Sequence, residues 1–379
     1  MLFIVQNRET QFDAPLYALI SRHYFPLRVI YTTPIFQGHD KDDELGFAPS
    51  WDHLSSSRYS YETLSNTSFL ALWRLALYIK NQKPSLVVIC GYFPRTQLLL
   101  AIFLRFLGQR IGLRSDNTLA HTTFHGFTGA LRRIFIGIVQ RLFHSWHPVG
   151  EQASSYLHTL SGVNRPTYRF SYSVDNDWFF SRSSVERQNR ESFLIQNCWP
   201  VDSFVVLGVM KWNQREDPIT LVTAFKNLYH QVPNARLVLV GDGPMREEVH
   251  KACIDLHDSV LCPGFVPYSQ LPVWYGRADV FVHPAPDEPW GVSILEALAS
   301  GVPVIAAKGV GAAKETVDST LSVQMFDNKD HINLALKLGH LANISSSLTS
   351  LSASCRTIAD RWHYRHTVEA FEQAMDTFN

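Results

Sequence analysis

Cysteine is scarce. The chain has five in 379 residues, Cys90, Cys198, Cys253, Cys262 and Cys355, an odd number never spaced as CxxC. This argues against a disulfide framework and a cysteine zinc site, and it fits a reducing cytosol. An excess of charge is missing too: 34 basic and 34 acidic residues leave no global field to recruit nucleic acid or an anionic surface. The 16 histidines include no HExxH or similar pair on one helical face. No apolar run is long enough to span a bilayer. The longest, LLLAIFLRFLG from Leu98, is interrupted by Arg105 and reads as a core helix or an interfacial one. Repeats and low-complexity tracts are absent, and the opening MLFIVQ lacks a charged n-region, so it reads as a first buried strand and not as a signal peptide.

What remains is an ordinary globular composition, 46% hydrophobic and 18% charged, in a chain longer than one core usually organises. Short apolar runs alternate with helical patterns: LFIV, LRVIYT, SLVVICG, SFVVLGV, RLVLVGDG, ADVFVHP and VPVIAA. Such alternation predicts parallel sheets built from βαβ units, and runs apolar throughout are those of strands covered on both faces. The polar stretch SRSSVERQNRES from Ser181 is the best boundary. The expected organisation is an N-terminal Rossmann-like domain over 1–180, a C-terminal one over 181–358, and a last segment, 359–379. Two doubly wound domains of this kind bind ligands at the carboxyl ends of their strands.

The segment DEPWGVSILEA, Asp287 to Ala297, lies in a strand, loop, helix, strand unit. Pro289 suits the first helical position, and Gly301 with Pro303 ends the helix. Glu288 then sits in the loop at the carboxyl end of the sheet, and Glu296 lies a turn inside, leaning back toward the helix N-terminus. The N–H groups near Gly291, Val292 and Ser293 favour a phosphate. Each glutamate alone reads as a cap or a solvated helix residue. Their pairing around an exposed Pro289-Trp290-Gly291 points to a site.

The stretch EPWGVSILEALASGVPVIA resembles the E-x7-E signature of retaining glycosyltransferases of the GT-B fold, especially glycosyltransferase family 4. LVLVGDGPMREEV, PGFVPYSQLPVWYGRADVFVHP and GVGAAKETV are similar to further motifs of that family in the same order, so the likeness covers about residues 203–320. The resemblance implies an α/β GT-B fold of two Rossmann-like domains facing a cleft. It places Glu288 near the anomeric carbon and Glu296 on the ribose of a nucleotide-sugar. It also implies a basic residue for the diphosphate where no metal is expected. The usual arginine after Gly208 is Val209 here, which leaves Lys211 and Arg215 as candidates, Arg215 preferred because it precedes a segment like the family's next helix. A solvated Arg215 paired with Glu216 or Asp217 is the plain alternative. The Gly241-Asp242-Gly243 turn allows close backbone approach to a nucleotide, and Phe265 and Val266 match the segment that meets the base. Pro289, Trp290, Gly291 and Val292 complete the donor set.

The N-terminal half is more divergent. TQFDAPLYALISRH and GYFPRTQLLLAIFLRFLGQRIGLRSDN resemble a subset of the family, in which Asp116 falls near the residue close to the transferred sugar. Asp116 could orient an acceptor hydroxyl, Arg114 could meet a phosphate, or the Asp-Asn pair could merely form a turn. DND at Asp175–Asp177 and DKD at Asp40–Asp42 spell a DxD metal pattern outside the context it requires, and neither is taken as a metal site. His283, beside the motif loop, is the one histidine that stands out. GALRRIFIGIVQRLFHSWH, with Arg132, Arg133 and Arg141, reads as a core-facing helix with a solvated basic face or as a helix that touches a membrane. The final pattern from Tyr364 resembles the helix that crosses back to the first domain.

The implied activity is that of a retaining, metal-independent hexosyltransferase without a cofactor. It moves a sugar from a UDP- or GDP-sugar to a hydroxyl of a glycan, lipid-linked or small-molecule acceptor. The expected location is cytoplasmic, with room for peripheral contact at the inner face of the membrane and no nucleic-acid partner. Two rivals stay open: a non-catalytic nucleotide-sugar binding protein, motivated by Val209, and another GT-B enzyme such as a sugar-nucleotide epimerase. A phosphorylase is disfavoured by the lack of a pyridoxal-phosphate lysine motif.

Overall fold

The computed structural model describes residues 1–33, 45, 58–318, 320–344 and 348–378; Asp40–Asp42 lie outside them. β1 (Leu2–Gln6), β2 (Leu27–Tyr31), β3 (Ser60–Thr63), β4 (Leu86–Cys90), β5 (Ile111–Ser115) and β6 (Ser145–Pro148) form one sheet in the order β3-β2-β1-β4-β5-β6. β7 (Phe204–Val209), β8 (Ala235–Val240), β9 (Val260–Gly264), β10 (Val280–His283), β11 (Val304–Ala307) and β12 (Val323–Phe326) form another, ordered β12-β11-β10-β7-β8-β9. Every pairing is parallel. All seven apolar runs are strands. In each sheet the strand order reverses once, between β1 and β4 and between β7 and β10. At such a point adjacent loops leave in opposite directions and open a crevice beyond the strand ends.

Among the described residues the chain divides into two compact units, residues 1–33, 58–173 and 364–378 in the first and Leu45 with those within 174–363 in the second. The division falls between Ser173 and Val174, ahead of the polar stretch from Ser181. That stretch is no linker, since it lies in the helices Asn176–Gln188 and Arg190–Gln196. Asp175 caps the first of these by accepting the Trp178 N–H at 2.9 Å, which gives the DND pattern a structural role at its first residue.

Alternation along β1 sends Phe3 and Val5 to one buried cluster and Leu2 and Ile4 to another, one on each face of the first sheet. The second cluster is completed by the helix Tyr364–Phe378, which contributes Val368, Phe371, Ala374 and Met375. Phe371 meets Phe170 edge to face, with ring centroids 4.7 Å apart. The helix Gly126–Arg141 buries Ile136 and Val139 but leaves Phe127, Leu131, Ile134 and Ile138 exposed. Its solvent face is therefore apolar as well as basic, unlike the solvated basic face expected of a core helix. No helix among the described residues is long and apolar enough to cross a membrane.

Phe371 is fully buried, so Phe371→Ala should destabilise the first unit by about 3–5 kcal/mol. Urea unfolding followed by a probe in that unit checks this, and an unchanged midpoint would contradict the packing role of the returning helix.

Candidate functional site

The loops that follow β7 and β10 flank the reversal point of the second sheet, and they meet. Arg215 donates from Nη1 to the Glu288 carboxylate and from Nη2 to Glu216 Oε1 at 2.8 Å. The ion pair with Glu216 is the plain alternative read from sequence, but the contact with Glu288 joins the two residues singled out for the reaction centre. Asp217 takes no part, because it caps the helix Pro218–Gln231, accepting from the Thr220 N–H and hydroxyl. Lys211 is half-buried in the same loop.

Glu288 is held through its backbone. Its N–H donates to Gly309 O at 3.3 Å and its carbonyl accepts from the Gly311 N–H at 3.0 Å; next to it Trp290 O accepts from the Ala312 N–H at 2.8 Å. A Cβ on Gly309 would stand 1.8 Å from Pro286 O, and one on Gly311 2.0 Å from Pro289 O, so only glycine permits this contact. Asn328 locks both sides, donating to Pro286 O and accepting from the Gly309 N–H, each at 2.8 Å. The GVG loop was visible in the sequence, but its role as the support of Glu288, and that of Asn328, was not.

The helix begins at Val292 rather than Pro289, with Gly291 as its N-cap in a left-handed conformation, φ 90°. The two intervening residues turn the chain toward the glycine loop, and Pro289 is spent on that turn. Trp290 is 5% exposed, not the exposed ring expected, because it packs toward Trp362 with ring centroids 6.5 Å apart. As at every helix start, the first N–H groups, here those of Val292 and Ser293, have no intrahelical acceptor. Glu296 is buried and accepts from the Tyr275 hydroxyl at 2.9 Å. Burial pushes its carboxyl up to about 7 despite that hydrogen bond. Tyr275 lies inside a segment the sequence likeness covers, yet nothing in the spacing tied it to Glu296.

His283 ends β10, is 3% exposed, and finds no hydrogen-bond partner for either ring nitrogen. Burial and then the nearby Arg215 charge lower it to about 4. Its Nε2 lies 3.3 Å from where a Cβ on Gly291 would be, which places a neutral imidazole beneath the motif loop.

The other donor candidates separate into two kinds. Gly208 lies within β7, one residue before its end, and a Cβ there would press on Leu221, Met210 and Leu239 at 2.7–2.9 Å, so its smallness serves packing. Gly241 and Gly243 were expected to let backbone approach a nucleotide. Their missing Cβ atoms admit Met210 O and Trp212 O, at 1.8 and 2.6 Å from the Cβ positions. Asp242 is buried and engaged by Arg246, Nε to Oδ1 at 2.9 Å. Phe265 and Val266 follow β9, half-buried, beside a Gly241 N–H bond to Gly264 O of 2.9 Å. No group of three or more His, Cys, Asp or Glu among the described residues is placed to hold a metal ion.

The first unit has its own cavity, of about 600 Å³, at the reversal point of its sheet, lined by residues that follow β1, β4 and β5. Asp116 lines it and accepts from the Tyr172 hydroxyl at 2.8 Å. Arg114, a candidate for a phosphate, is committed elsewhere: it is 3% exposed, holds Asp13 through two bonds of 2.8 and 3.0 Å, and stacks 3.5 Å from the Phe170 ring centroid. Burial opposes its charge most strongly, but Asp13 together with Cys90, Tyr172 and Tyr17 outweighs burial and keeps the guanidinium protonated.

Glu296 yields a pH test. Its folded pKa, about 7, lies above the ordinary 4.5, so its contribution to stability is full below about pH 4.5 and is lost as pH rises through 7. Glu296→Gln keeps the neutral shape, so it should melt close to the parent at pH 5 and above it at pH 8, by up to about 3 kcal/mol. Parallel melting curves at both pH values would argue against a buried neutral carboxyl.

Comparison with known proteins places these features. Residues 189–354 match the family described as glycosyl transferases group 1. Alpha-monoglucosyldiacylglycerol synthase of Acholeplasma laidlawii is 30% identical over 148 residues, 38% of this chain and 34% of that protein. The GDP-mannose-dependent alpha-(1-6)-phosphatidylinositol monomannoside mannosyltransferase of Mycolicibacterium smegmatis is 28% identical over 202 residues, 51% of each chain. The chain thus spans about a third to a half of the length of these relatives. Among solved structures, HepE of Anabaena in complex with UDP and glucose has a TM-score of 0.72 at 16% identity, over 100% of both chains. Sucrose-phosphate synthase of Thermosynechococcus elongatus has a TM-score of 0.72 at 17% identity, over 100% of this chain and 99% of that one. The chain therefore has the GT-B fold, and the stretch that carries Arg215, Glu288 and Glu296 matches glycosyl transferases group 1.

Proposed function

We propose that the protein is a retaining glycosyltransferase that needs no metal and moves a sugar from a UDP- or GDP-sugar to a hydroxyl of an acceptor. The observation that carries this reading is the meeting of Arg215 with Glu288 on the two loops of the second sheet's reversal point, beside the N-terminus of the helix Val292–Ala299. A nucleoside diphosphate leaving group gains charge as the glycosidic bond breaks. Arg215, Lys211 and the first helical N–H groups stabilise that charge. As positive charge develops on the anomeric carbon, Glu288 stabilises it from a fixed backbone position. Glu296, held by Tyr275, meets the ribose, and Phe265 and Val266 flank the base. In the first unit Asp116 orients the acceptor hydroxyl. The GDP-mannose dependence of the mycobacterial relative supports a nucleotide-sugar donor.

Peripheral contact with the inner face of a membrane belongs to the same proposal. It is supported by the exposed Phe127, Leu131, Ile134 and Ile138 on the helix that also carries Arg132 and Arg133. Amphipathic helices of this composition lie in the headgroup boundary. Sedimentation with anionic vesicles should be strong for the parent and weak for Ile134→Glu; equal pelleting of the two would remove the contact.

A thermal-shift panel of UDP, GDP, ADP and TDP with their sugar conjugates tests the donor site. One base should raise the melting temperature, and Glu296→Ala should reduce that rise. Glu288→Ala should abolish transfer while largely keeping nucleotide affinity, and Arg215→Ala should weaken diphosphate binding by on the order of tenfold. Full turnover by Glu288→Ala sinks the proposal, whereas binding without turnover by the parent on any acceptor favours a non-catalytic binding protein.

A further inference from the structure

The cavity of the first unit is not closed off from the surface around it. A second depression, of about 440 Å³, shares Tyr92, Phe93 and Phe135 with it, so the two adjoin across these rings. Their chemistry differs. The cavity presents Asn7, Asp116, Asn117 and Arg132, whereas the depression is walled by Leu98, Leu99 and Ile102, with Arg95 as its one charged residue. Phe93 is 72% exposed, Phe135 49% and Ile102 43%. Single exposed apolar residues are ordinary, but several lining one groove that adjoins a polar cavity are not scattered singly.

We propose that the acceptor is an amphiphile: an anionic, phosphate-bearing head enters the cavity, and an aliphatic chain leaves through the groove walled by Leu98, Leu99, Ile102 and Phe135. This rests on the transferase reading above and names its acceptor class. Charge complementarity sets the sign of the head. Arg132 and Arg95 enter no salt bridge among the described residues, and no carboxylate lines the groove. Asp116, in the cavity, is engaged by Tyr172. An oligosaccharide would need donors and acceptors along its length, and the side chains of the groove offer only Arg95 and the Tyr92 hydroxyl, which is shared with Tyr156. The groove also differs from the membrane-facing stripe of Phe127, Leu131, Ile134 and Ile138, none of which lines it; the stripe meets a surface, whereas the groove holds one chain.

Octyl, decyl and dodecyl phosphate, each below its micelle concentration, are the probes, titrated calorimetrically into the full chain. Affinity should rise by about fourfold per added methylene while the groove fills. Inorganic phosphate and dodecyl maltoside should bind at least about tenfold more weakly than dodecyl phosphate, since each lacks one half of the recognition. Ile102→Gln and Phe135→Gln, both at exposed positions, should flatten the chain-length dependence. Arg132→Gln should weaken all three phosphates alike. Phe127→Gln, on the same helix as Phe135 but outside the groove, should change none of them. Binding independent of chain length, or equal damage from Phe127→Gln and Phe135→Gln, overturns the proposal. The nucleotide-induced melting shift of the same samples reads the donor site separately: its absence with alkyl phosphate binding intact removes the transferase reading and leaves the amphiphile groove standing.

Discussion

Two backbones can hydrogen-bond side by side only where no Cβ stands between them, and the second unit depends on that constraint at the ends of its strands. Gly309 and Gly311 let the loop after β11 bond directly to the backbone of Glu288 and Trp290. Gly241 and Gly243 do the same for the loops after β7 and β8, bringing Met210 and Trp212 against the turn. A carboxylate on a free loop would spread over many positions. Here its main chain is fixed on both sides, and only the side-chain torsions remain to be set, by Arg215. Preorganised charge of this kind acts without reorganising during a reaction, which is why rigid support around a site counts for as much as the reactive group.

The parallel sheets were legible because their inner strands are apolar on both faces. β1, β4, β7 and β8 each announce themselves as unbroken runs. The strands that escaped are edge strands or short ones. β3 is exposed at all four residues, and β6 reads SWHP, in which buried polar groups take the place of an apolar run. The polar stretch at Ser181 reads both as a boundary and as a helical turn for a related reason, since a partly exposed helix has the composition of a linker until its cap at Asp175 is seen.

The site was legible in its residue types and less so in its contacts. Glu288 and Arg215, 73 residues apart, meet because strand order in the second sheet brings β7 beside β10, a fact of topology that spacing does not encode. Trp290 was misplaced because a tryptophan between proline and glycine looks like a loop tip, while its ring is needed to fill the space toward Trp362. Tyr275 and Asn328 were invisible for the opposite reason: their roles consist of a few hydrogen bonds to residues distant in the chain, donated by the Tyr275 hydroxyl and both donated and accepted by Asn328.

The helix Tyr364–Phe378 closes one face of a core whose other parts were made first. On a ribosome, the apolar face of the first sheet that carries Leu2, Ile4 and Val88 waits while the whole second unit is synthesised, roughly 10–40 s for a stretch of this length at ~5–20 residues per second. The first domain to emerge is therefore the last to be finished. During that interval the part of this face not already covered by Leu16, Tyr17 and Ile20 of the helix Asp13–His23 is a surface for chaperones to hold or for neighbouring nascent chains to stick to.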